Sequence, residues 1–151
     1  MRVSFTVRGL PAPQGSKRHV GRGVLVEMAG QKLRDWRSDV KAAAALAMAG
    51  HAATREPRVS FSPLPGPVGV SVCFTLPKPK SAPKTRRTWP DKRPDLDKLL
   101  RSTLDGLTGE VFADDAQVVL LVAEKAYPGE AKRSLDVPGA QVKVWQIGED
   151  K

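Results

Sequence analysis

The sequence predicts an α+β fold, a single domain over residues 1–151 with two main helices on a mixed sheet of four to five strands. Val3, Phe5 and Val7 alternate with polar neighbours at the period of a half-buried strand, and residues 68–76 are dense in β-branched and aromatic side chains. Leu33, Trp36, Val40, Ala44 and Ala47 recur at helical spacing, as do Leu96, Leu99, Leu100, Thr103, Leu104 and Leu107. At 151 residues, 40% hydrophobic and 27% charged, the chain can bury one core and is too short for two comfortable ones.

The first strand covers residues 3–7. Residues 9–23 are rich in Gly, Pro and basic side chains and read as a loop. Its Gly-Ser-Lys has the wrong order for a phosphate-binding P-loop. Lys17, Arg18 and Arg22 there are either point charges for a phosphate backbone or a solvated hairpin. A short strand over 24–27 returns from the loop, and a helix over 31–49 stops at Gly50. The alanines of that helix suit close packing on a sheet or a second subunit, and Trp36 belongs to its buried face.

Residues 51–67 form an irregular connection, with a short strand around 59–62. Residues 68–76 make a central strand, and Cys73 within it packs as a small hydrophobe. The Pro-rich stretch 77–94 carries Lys78, Lys80, Lys84, Arg86, Arg87, Lys92 and Arg93 against one acid, Asp91. Such a loop buries little apolar surface and is expected to be mobile without a partner. Trp89 inside it suits base stacking or a wedge at a DNA branch, or else folds back to pin the loop. A helix beginning near Asp95 and strands over 118–125 and 140–147 complete the chain, with Lys132 and Arg133 in the last connection facing phosphates or solvent.

The formal net charge of +9 and pI near 10.1 point to a polyanionic partner. Because the basic residues lie in loops and not along an amphipathic helix, nucleic acid is favoured over an acidic membrane surface. One cysteine and two histidines, His19 and His51, rule against a structural zinc site and an internal disulfide. No apolar run approaches the roughly 18 residues of a membrane span, and the chain starts in a strand pattern without a signal peptide. A cytoplasmic location is therefore expected.

Against this basic background, residues 93–117 collect Asp95, Asp97, Asp105, Asp114 and Asp115. Carboxylates brought together repel unless a cation or protons neutralise them. Oxygen-only ligation suits Mg²⁺, with Mn²⁺ as a substitute, and both ions also take phosphate oxygens. Asp97, Arg101 and Asp105 form one stripe at i, i+4 and i+8, so Asp95 shares a metal with Asp97 only from a non-helical cap position. The bland reading is that Asp95 caps the helix, Asp97 pairs with Arg101, and Asp114-Asp115 marks a turn. With Arg101 as a resident cation, the acids suit metal-dependent phosphodiester hydrolysis.

The run LPKPKSAPK followed by RPDLDKLLRSTLDGLTGEVFADDAQVV, within residues 76–125, resembles the RusA family of Holliday junction resolvases. The resemblance implies a RusA-like fold and a homodimeric, Mg²⁺-dependent endonuclease cutting four-way DNA junctions by paired symmetric nicks. It implies essential acids at Asp95, Asp97 and Asp115, with Asp114 and Asp105 at positions that are aspartate in relatives. Two departures stand out: Lys98 replaces the family's Asn and Arg101 its Lys. Lys98 joins Lys17, Arg18 and the basic loop as candidate DNA contacts. A non-catalytic or degenerate module that holds branched DNA is the alternative.

Overall fold

The computed structural model describes residues 1–15, 17–19, 25–27, 30–53 and 62–148. In order they form strand β1 (Arg2–Arg8), the short strands β2 (Lys17–His19) and β3 (Leu25–Glu27), helix α1 (Gly30–Ala53), strand β4 (Val68–Thr75), helix α2 (Leu96–Leu107), strand β5 (Val118–Ala126) and strand β6 (Gly139–Gln146). A short 3₁₀ turn, Asp115–Gln117, leads into β5.

Four strands make one mixed sheet in the order β1-β6-β4-β5. β4 is parallel to β5 and antiparallel to β6, and β1 is antiparallel to β6. A parallel pair needs a crossover, and α2 lies in the connection from β4 to β5. The segment expected as all loop contains β2, which pairs with β3 as a separate two-stranded ribbon. Lys17 and Arg18 sit on that ribbon and not in an open loop. Ladder bonding satisfies backbone groups that the Gly- and Pro-based reading left to solvent.

The register places Phe5, Val72 and Val142 on one rung, so Val3, Val7, Val70, Phe74, Ala140 and Val144 share a face. All but Phe5 are buried in the core with Trp36, Val40, Leu99 and Leu107 from the helices. The helices pack closely: a Cβ on Gly106 would lie 2.8 Å from Val40. The Trp36 indole donates to the Thr103 hydroxyl at 3.1 Å, so the polar edge of the largest core ring is satisfied. α1 runs through Gly50, the expected stop, because its alanines favour helix strongly enough to carry one glycine. The strand expected over 59–62 lies mostly outside the described residues.

Candidate active site

The N-terminus of α2 sets the first acid. Asp95 is the N-cap residue with φ −69° and ψ 139°, the extended conformation that a shared site with Asp97 requires. Its side chain makes no capping hydrogen bond, contrary to the bland reading, and lies 3.6 Å from the Lys98 ammonium. Lys98 is thereby partnered to an acid as well as available at the surface. Asp97 follows in the first helical turn, where the helix dipole favours a negative charge.

The Asp97–Arg101 pair of the bland reading does not form among the described residues. The Arg101 guanidinium instead packs over the loop after β1, where a Cβ on Gly15 would stand 2.9 Å from Nη1. Gly15 has φ +97°, so this approach needs a residue without a side chain. The same loop is fastened to α2, since Gln14 N–H donates to the Lys98 carbonyl at 3.0 Å and the Ser102 hydroxyl to the Ala12 carbonyl at 2.6 Å.

The second group of acids lies around the turn before β5. Asp114 accepts from the Ala116 N–H at 2.9 Å while the Gln117 side chain accepts from the Asp114 N–H at 3.0 Å, a reciprocal capping box. Asp115 is left with a raised pKa from partial desolvation, a hydrogen bond shared with the Asp114 carboxyl, and the charges of Asp114 and Asp105. Asp105 itself pairs with Arg37 of α1 at 3.3 Å. Thus Asp105 and Asp114 act on Asp115, while Asp95 keeps company with Lys98. Among the described residues no three acids, histidines or cysteines are gathered as a group that could hold a metal ion. The donor chemistry fits a hard divalent cation, but a ready three-carboxylate cage is absent from the described residues.

Two residues without a local sequence motif hold the surroundings in place. Lys125, inside β5, donates to the carbonyls of Lys92 and Pro94, both at 3.0 Å, and so ties the sheet to the residue before Asp95. A lysine on the core-facing register of a strand, opposite Phe74, was a usable sequence signal. Glu130 accepts from the Thr88 N–H at 2.8 Å and pairs with the Lys78 ammonium at 2.8 Å. These bonds, chiefly that from Lys78, hold the Glu130 carboxyl below the usual range. The basic loop expected to hang free is therefore latched to the β5–β6 connection. No local pattern announces this contact, because its partners lie 42 residues apart.

Lys80, Lys84, Arg86, Arg87, Lys92 and Arg93 are exposed along that loop. Trp89 is 61% exposed, with the Arg87 guanidinium 3.8 Å from its ring centre, so it does not fold into the core. Arg133 donates to the Ser71 hydroxyl and, at 3.5 Å, to the Gln141 carbonyl. The side chains of Lys17 and Arg18 lie outside the described residues.

A cleft of about 750 Å³ opens between the loop after β1, the end of the basic loop and the start of α2. Asp95 and Lys98 lie in its wall beside Leu10, Leu76, Pro90 and Tyr127. No helix of the described residues is long and apolar enough to cross a membrane.

No curated protein matches the chain. The family model described as Endodeoxyribonuclease RusA matches residues 9–144, which takes in the acids, the basic loop, both helices and most of the sheet. The chain therefore belongs to the RusA family of endodeoxyribonucleases, enzymes of the Holliday-junction resolvase class.

Proposed function

We propose that the chain is a Mg²⁺-dependent enzyme that resolves four-way DNA junctions by paired symmetric nicks, with Mn²⁺ able to replace Mg²⁺. Family membership over residues 9–144 carries the reading. Asp95, Asp97 and Asp115 are the acids that would hold the ion, with Asp114 beside them. Mg²⁺ commonly takes one or two carboxylates plus waters and substrate phosphate oxygens, so a closed protein cage is not required. When bound, the ion supplies charge neutralisation at the phosphoryl oxygens and a water of lowered pKa.

The chain's own residues have separate tasks. Asp95, free of capping bonds and with the Lys98 ammonium 3.6 Å away, stands at the start of α2. Asp115, whose charged form is disfavoured by partial desolvation and by the neighbouring acids Asp114 and Asp105, would have that charge offset by a bound cation. Arg101, placed against Gly15, is the fixed cation for the charge that builds on the phosphate. Lys78, Lys80, Lys84, Arg86, Arg87, Lys92 and Arg93, with Lys17, Arg18 and Lys98, attract the DNA backbone, and Trp89 supplies an aromatic surface for an unpaired base.

Paired cuts need two acid sets, and a two-fold homodimer provides them. The surface suited to the second copy is β5. It is an edge strand of the sheet, and Val119, Leu120, Leu121 and Val122 on it are between 42% and 62% exposed. An exposed apolar edge is a template for pairing with another strand, and a strand pairs with its own copy in antiparallel fashion about a two-fold axis.

The alternative, a module that holds branched DNA without cutting it, draws on the lack of a gathered acid trio among the described residues. Labelled four-way, forked and linear DNA, incubated with the protein in Mg²⁺, Mn²⁺ or EDTA, decides between them. The proposed enzyme nicks four-way DNA in two symmetric places only with metal. Binding without nicks in either metal establishes the module.

A further inference from the structure

The cleft beside Asp95 has a shape and lining that phosphate hydrolysis alone does not use. Its volume, about 750 Å³, lies within the range of small-molecule sites and exceeds what one phosphate needs. Of its lining, Leu76, Pro90 and Tyr127 are buried, whereas Leu10, Lys32, Lys92 and Arg93 are exposed and Lys98 is half-buried, with Asp95 the single acid among them. An apolar floor under a cationic rim matches a flat aromatic base that hangs from anionic phosphates.

Trp89 immediately precedes Pro90 of the cleft wall and stands out in solvent with Arg87 stacked on it. It is therefore poised next to the place where a base would leave its stack. The cleft walls are held by the bonds from Gln14 to Lys98, from Ser102 to Ala12 and from Lys125 to Lys92 and Pro94, so the space is built before DNA arrives. Unstacking is least costly where pairing is already interrupted.

We infer that this cleft receives a nucleobase drawn out of the stack beside the phosphate to be cut, while Trp89 fills the gap left behind. The inference rests on the reading of the chain as a junction nuclease, and it supplies a reason for preferring branched DNA over linear duplex. The base enters between Leu10 and Pro90, its phosphates stay on the lysine and arginine rim, and the adjoining phosphate falls at Asp95.

The test uses four-way junctions carrying 2-aminopurine at successive positions around the branch, bound by the protein in EDTA so that no cutting occurs. Fluorescence should rise severalfold at one position next to the cut site and stay flat in linear duplex. Leu10→Trp, which fills the cleft mouth, should remove most of that rise while gel-shift affinity for the junction persists. Trp89→Ala replaces an exposed side chain, keeps the fold, and should also reduce the rise. A wild-type protein that binds and cuts junctions with no rise at any position overturns the inference and leaves the nuclease reading standing, as does a rise undiminished in both variants. A protein that neither binds nor cuts four-way DNA overturns both.

Discussion

The Lys125 ammonium stands 3.0 Å from the Pro94 carbonyl, so a strand of the sheet directly fixes the residue that precedes Asp95. Lys125→Met removes this bond and its companion to Lys92. The expected result is cleavage slowed on the order of ten- to a hundredfold, because a small misplacement of a reacting group is costly. Junction affinity should change little, and single-turnover kinetics beside gel shifts makes the separation. An unaltered rate would show that Asp95 is placed without the tie.

Asp97→Asn and Asp115→Asn should each lower cleavage on the order of a hundredfold or more while junction binding holds or tightens, since a charge facing phosphate is removed. They should differ in stability. The folded pKa of Asp115 is raised, so its favourable contribution is complete below the ordinary aspartate value of about 3.9 and is lost as pH rises through the folded value. At neutral pH without metal, Asp115→Asn relieves repulsion from Asp114 and Asp105 and should melt above wild type. A lower melting temperature would contradict that account of the turn.

Glu130 obeys the opposite sign. Its folded pKa is depressed, so its contribution is present above the ordinary glutamate value of about 4.3 and is lost as pH falls through the folded value. Glu130→Gln should expose the 78–88 loop to trypsin at pH 7 and weaken junction binding. The difference from wild type in denaturant stability should shrink under acid conditions. Neutralising Lys84, Arg86 and Arg87 together should flatten the salt dependence of binding, by about 0.9 in log–log slope for each phosphate that the loop no longer neutralises.

Arg101→Lys should keep or raise cleavage, because either side chain supplies the charge. A large loss would mean that the guanidinium shape, packed over Gly15, is what the site uses. Gly15→Ala offers the complementary check. A side chain there meets both a φ of +97° and the Arg101 guanidinium, and should cost about 1–3 kcal/mol in chemical unfolding while also slowing cleavage.

For the dimer, Leu121→Lys or Val122→Lys places a charge on the exposed edge of β5. Sedimentation should then report a monomer, and junctions should receive unpaired nicks or none. Persistence of a dimer would move the interface elsewhere, with the alanine-rich α1 and its exposed Leu46 the next surface to probe.

Much of this molecule is local and therefore readable along the chain. Alternation at Val3, Phe5 and Val7, the β-branched run of β4 and the leucine spacing of α2 are set by side-chain periods, and they locate the strands, the helices and the acid-bearing helix start. The short β2 strand is not legible in this way, because its Lys-Arg-His sequence carries no apolar alternation and is held by pairing with β3. Gly50 is a false stop signal because one glycine weakens a helix without ending it when alanines surround it.

The acidic inventory and its surplus of basic partners are likewise present in residue order, as is the requirement that Asp95 leave the helical stripe. Which charges distant in the chain meet is decided by folding alone. Arg37 takes Asp105, Glu130 takes Lys78 and Arg101 goes to Gly15 across long stretches of chain, whereas Lys98 and Asp95 meet locally at i, i+3. Short-range spacing specifies which residues share a helix face, but contacts between loops and strands far apart in the chain depend on how the sheet and helices pack, and the cleft beside Asp95 exists only once that packing is complete.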